Sequence, residues 1–198
     1  MIRVPGKICH DGGLMPSPIG HALGGVAAAW SAELIPAAES AGPIPTISTG
    51  LTLVCAVLGA APDLDLLVPG LHRTVTHSVG AIIFTTIIAA GVTGWVTRKS
   101  GWKTSAVFRI AAICGAAYAS HILLDWLGSD TNPPFGIQAL WPFSHQWFIA
   151  PWTIFPMTER RSFFSLAAIT TNVKAVGVEV LILGPVVLAL GWARSRRT

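Results

Sequence analysis

His21, the pair Asp63 and Asp65, the pair His72 and His77, and the pair His121 and Asp125 each stand at one end of an apolar run. Imidazoles and carboxylates are costly in lipid and are kept there for a partner or a function. Gathered in one place, these histidines and carboxylates would form a metal site, most naturally for zinc. A divalent ion in such a site acidifies water, so hydrolysis would need no serine or cysteine nucleophile. The chain carries no nucleophile elbow, Walker loop or dinucleotide fingerprint.

The motifs differ in what they imply. His121-Ile-Leu-Leu-Asp125 has i,i+4 spacing, which puts both side chains on one helical face as two ligands or as a helix-end hydrogen bond. Pro62-Asp63-Leu64-Asp65 offers two carboxylates that can ligate a metal or orient water as a base; an ordinary helix-ending turn is the plainer reading. In His72-Arg73-Thr74-Val75-Thr76-His77-Ser78, two histidines flank an arginine whose fork suits an anionic oxygen, and Ser78 can cap a following helix. His21 alone would be an interfacial histidine. His145 among aromatics and His10 in the tail read as bland, and Glu179 is either a partner for Lys174 or a support for the site.

These residues need elements to carry them. With 52% hydrophobic and 11% charged residues the chain cannot clothe a water-soluble surface, for which about 25% charged is usual. The mean hydropathy of +0.62 agrees. The expected fold is an all-α integral membrane bundle of four to five spans, a single domain over residues 1–198. Apolar runs cover 19–34, 50–61, 78–97, 105–126 and 173–192, the second short for a full span. Ser17 is a cap and Pro18 the first helical residue of the first run. Early basic residues before that run resemble a signal peptide, but the long lead-in argues against cleavage. Residues 127–172, rich in tryptophan, proline and phenylalanine, are expected on the membrane surface, bordering a substrate entrance.

Alternation of the runs makes a prediction. A tight basic loop makes 78–97 and 105–126 antiparallel, so His77 and His121 meet on one side. The same alternation brings Asp63 and His21 there. The formal charge of +4 comes from short clusters beside the spans, which point to lipid and orientation rather than nucleic acid. Their balance leans toward a motif side facing away from the cytoplasm. Cys9, Cys55 and Cys114 lack CxxC spacing and read as small apolar residues.

An early histidine after glycine, Pro-Asp-x-Asp, His-Arg-x-x-x-His-Ser, His-x-x-Leu-Asp and Trp141-Pro142-Phe143 together resemble the bacterial membrane-bound metal-dependent hydrolases, also described as LexA-binding and inner-membrane-associated. The resemblance covers residues 16–145. It implies metal binding by the histidines and aspartates, a likeness to zinc-dependent phospholipase C, and a phosphoester or lipid-like substrate.

The reading is therefore a multi-pass inner-membrane hydrolase using a divalent metal, zinc first. Its ligands come from His21, Asp63, Asp65, His72, His77, His121 and Asp125. Asp63 or Asp65 serves as base, and Arg73 neutralises a developing anion. A metal or proton transporter would place its ligands near mid-span. A metal-stabilised scaffold for a partner protein would have a closed ligand set. Ligands at helix ends favour surface chemistry.

Overall fold

The computed structural model describes residues 13–14, 16–35, 48–68, 72–131, 133–160 and 164–196. Most of the tail before the first run, His10 included, and residues 36–47 after it lie outside them. Among the described residues the fold is all-helical apart from one two-residue ladder and two isolated bridges. Helix α1 spans Pro18–Leu34 and α2 spans Thr49–Ala60. Helix α3 covers Val79–Thr97, α4 Thr104–Trp126 and α5 Leu166–Ser195. Strand β1 (Gly13–Leu14) pairs antiparallel with β2 (Thr158–Glu159).

Serines start four of the five helices. Ser17, Ser48, Ser78 and Ser165 each accept a hydrogen bond from the backbone N–H three residues on, satisfying a donor that the helix leaves unpaired. Ser17 and Ser78 were legible as caps. The cap at Ser165 lengthens the last helix beyond the 173–192 run. The second run is longer than its apolar stretch. At Pro62, which has no N–H to give, α2 tightens into a 3-10 turn over Ala61–Leu67, and the combined Thr49–Leu67 element is 19 residues.

That element, α3, α4 and α5 are long and apolar enough to cross a membrane. Nineteen residues rise about 28 Å, close to the roughly 30 Å of a hydrocarbon core. The central helix is α4. Its Ile113 and Ala117 pack with Ala29 of α1 and Cys55 of α2, while α3 buries no residue in its window and faces outward.

Small residues set the spacing of α1 and α2. A Cβ on Gly25 would collide with the Cys55 carbonyl, and one on Gly59 with the His21 carbonyl. Such bare backbone surfaces let membrane helices approach closely. A second tie joins α5 to α1: Glu179, fully buried in α5, accepts from the Ser17 amide at 2.7 Å and from the Ser17 hydroxyl. Its partner is thus Ser17, not Lys174.

The aromatic stretch after α4 closes over the helix ends. Carbonyls of Ala139 and Trp141 accept from the first amides of α3, Val79 and Gly80, at 2.8 and 3.0 Å. Ile137 and Phe148 bond to each other in both directions, and Ile137 is fully buried. Phe143 and Trp152 remain exposed.

Gly25→Ala is expected to lower stability in detergent by about 1–3 kcal/mol, since overpacking against backbone exceeds the gain in helix propensity of about 1 kcal/mol. Gly91→Ala on α3, with nothing within 4 Å, is the matched control and should not destabilise. Equal thermal unfolding of the two variants would show that α1 and α2 are not held at this spacing.

Candidate metal centre

The four motif-bearing ends meet. His21 lies in the first turn of α1, Asp63 and Asp65 in the 3-10 extension of α2, His77 just before α3, and His121 with Asp125 in the last turns of α4. Three groups bring candidate ligand atoms within 4.8 Å of one another: His21, Asp63 and His121; Asp63, His72 and His77; and His77, His121 and Asp125. They could hold a metal ion.

Asp125, 1% exposed, is the hub. One of its oxygens lies 3.2 Å from His77 Nε2 and 3.2 Å from His121 Nε2, and the other 3.2 Å from His21 Nε2. The His21 ring stacks on His121 with centroids 3.7 Å apart. Asp63 Oδ1 stands 3.7 Å from both His77 Nε2 and His121 Nε2.

Outer hydrogen bonds orient these rings. His121 Nδ1 is 2.8 Å from the Gly59 carbonyl, which can only accept, so His121 donates there and turns the Nε2 lone pair inward. His77 Nδ1 is 3.1 Å from Asp65 Oδ2. The Nε2 atoms of His77 and His121 then face each other at 3.1 Å, between two carboxylates. Lone pairs from imidazoles and carboxylates converge in a buried space, an arrangement that repels itself unless a positive charge sits among them. A histidine whose outer nitrogen is fixed by a carbonyl or carboxylate is the usual support for a metal ligand.

Two further observations agree. His21 Nδ1 and Nε2 and Asp125 Oδ1 are buried without a hydrogen-bond partner among the described residues. The 3.2 Å approach of His21 Nε2 to Asp125 is close enough for an ion pair but out of line for a hydrogen bond, so an ion between them would satisfy both. At His77, burial opposes charge, but the surrounding carboxylates of Asp125, Asp63 and Asp65 outweigh it and hold the pKa well above the usual histidine value. The carboxylates thus favour positive charge at this nitrogen. The donor set, imidazole nitrogen with carboxylate oxygen and no thiolate, suits zinc and similar divalent ions.

Asp65 stands behind this core. It accepts from His72 Nδ1 at 2.8 Å, from the Arg73 amide at 3.2 Å and from the Thr76 hydroxyl, and lies 3.1 Å from His77 Nδ1. Its oxygens are occupied in positioning two histidines. Arg73, buried and in the left-handed region at φ 66°, gives its guanidinium to Asp130 at 2.7 Å, while its carbonyl accepts from Gln138. His145 is exposed and belongs to none of the three groups, and His10 lies outside the described residues.

Three contributors were not legible beforehand. Asp130 carried no motif, and Thr76 was passed over between two histidines. Arg160, whose Nη2 lies 3.5 Å from Asp63 Oδ2, is 97 residues from that partner in sequence.

The sequence from residue 15 to 198 matches the family described as YdjM inner membrane protein. The chain belongs to that family. Four candidate spans and this match make the YdjM-family chain a multi-pass inner-membrane protein. No curated protein and no solved structure matches it.

Asp130→Ala strands the buried Arg73 guanidinium and is expected to cost about 3–5 kcal/mol of stability. The double change Arg73→Met with Asp130→Leu should cost less, because no charge is left unpaired. If the single change proves no worse than the double, the pair is not a buried ionic contact.

Proposed function

We propose that this YdjM-family protein is a metal-dependent hydrolase, its chain acting as one domain, that cleaves a phosphoester or lipid-like substrate at the membrane surface. The observation that carries the reading is the convergence of His21, His77, His121 and Asp125 lone pairs beside a carboxylate, Asp63, that still reaches solvent. His21, His77, His121 and Asp125 would hold the ion, with Asp63 at its open side. A divalent ion there supplies a lowered pKa for water and polarisation of an ester oxygen.

The chain's own groups divide the remaining work. Asp63 has its second oxygen toward Arg160 and its side chain 15% exposed, so it is the carboxylate able to take a proton from a water entering the open edge. Asp65 holds the His72 and His77 rings rather than acting as base. His72, with 24% of its side chain exposed and its Nε2 without a partner among the described residues, borders the same edge. The 137–155 stretch seals the neighbouring helix ends and sets aromatic side chains at the boundary with lipid. A closed, purely structural ion would call for surroundings shielded on every side; the Asp63 side chain, 15% exposed, is not. A transporter would need the cluster near mid-span, whereas it lies at helix ends.

The protein purified from membranes should carry a divalent ion by elemental analysis, and should cleave bis(p-nitrophenyl) phosphate or detergent-dispersed phospholipid only until a chelator is added. His121→Ala and Asp125→Ala should lose metal and activity together. Asp63→Asn should keep most of the metal while activity falls about 10²–10⁴-fold, the size of a lost general base. Metal-replete protein that cleaves no ester under these conditions would refute the hydrolase reading.

A further inference from the structure

A carboxylate at the open edge of a site repels an anionic substrate. The edge formed by Asp63 and His72 must therefore offset its own charge if a phosphate-bearing molecule is to enter. Arg73, the arginine inside the motif, is unsuited to this: its side chain is 8% exposed and its guanidinium is bonded to Asp130. Arg160 is differently placed. Its side chain is 36% exposed, and its guanidinium lies 3.5 Å from Asp63 Oδ2, longer than an ordinary hydrogen bond.

We propose that Arg160 is the receptor for an anionic oxygen of the substrate, taking a phosphate group at the Asp63 edge of the site. This rests on the hydrolase reading and names the substrate as a phosphate-bearing anion. A guanidinium has five N–H donors in a planar fork that matches two phosphate oxygens, and one loose contact with Asp63 leaves most of them for a ligand. The backbone that presents Arg160 is firmly held. Glu159, the residue before it, pairs with Gly13 across the ladder, and Asn172 of α5 brackets it, accepting from the Glu159 amide at 2.7 Å and donating to its carbonyl at 2.8 Å. An arginine on a braced backbone loses less entropy on binding than one on a free loop. Its position beside Asp63 also puts the bound phosphate next to the carboxylate proposed as base, and it balances that carboxylate when the substrate is absent.

The test uses full-length, zinc-loaded protein in phosphatidylcholine nanodiscs, with inorganic phosphate as the probe, titrated calorimetrically alongside metal analysis. Arg160→Gln should keep its metal and melting temperature while phosphate affinity falls about tenfold or more, as for a lost charge-assisted pair. Arg160→Lys should fall between, keeping the charge but not the fork. Arg98→Gln, at the far end of α3, should bind as the unaltered protein does. Displacement of the probe by phosphatidate placed in the disc identifies a lipid headgroup as the ligand, and displacement only by a soluble phosphomonoester identifies a free one. Displacement by neither, unchanged affinity in Arg160→Gln, or metal lost along with affinity would overturn the proposal. Protein that binds phosphate through Arg160 yet cleaves no ester would keep this receptor and refute only the hydrolysis.

Discussion

Asp125 touches three imidazoles at 3.2 Å where the ends of α1, α2 and α4 meet the turn before α3. Electrostatics in such a place is unforgiving. An unpaired charge or an orphaned lone pair costs far more than in water, because little solvent is present to compensate. The carboxylate and the ring nitrogens must be matched by positive charge, and α1, α2 with its 3-10 extension, α4 and the turn before α3 contribute members of the cluster, while α5 supports the start of α1. The arrangement is a constraint on the fold as much as a consequence of it.

The helix packing answers that constraint in small steps. Gly25 and Gly59 bring α1 and α2 close enough for His21 and Asp63 to share one ion-sized space. The Gly59 carbonyl that packs in that seam is also the acceptor that orients His121. One residue thus couples helix spacing to ring orientation. Glu179 reaches from α5 to the amide and hydroxyl of Ser17, fixing the start of α1 one turn before His21. A carboxylate at that helix start also complements the helix dipole. Asp65 ties the loop before α3 to the end of α2 through His72, Thr76 and His77.

Much of this was legible in the sequence, for a physical reason. A membrane leaves polar residues few places to sit, so the positions of His21, Asp63, His77, His121 and Asp125 at run ends, combined with alternating helix direction, were enough to foresee their meeting. Ser17 and Ser78 showed themselves as caps by the same local chemistry. What escaped was long-range. Nothing near Asp130 or Arg160 marks them, because their partners, Arg73 and Asp63, are 57 and 97 residues away. Glu179 was read as a partner for Lys174 or a support for the site; the packing of α5 on α1 decides for the support, through Ser17. The second span was judged short because hydropathy stops at Pro62, whereas the backbone continues as a tighter helix past it.

X-ray absorption at the zinc edge, on protein purified from cells grown with ordinary zinc, addresses the central claim most directly. The account predicts a shell of nitrogen and oxygen at about 2.0–2.1 Å with the outer scattering of several imidazoles. That signal should vanish in Asp125→Ala. A sulfur shell near 2.3 Å, or an imidazole-poor shell that survives the Asp125 change, would contradict it, since the ion would then sit elsewhere than among His21, His77 and His121.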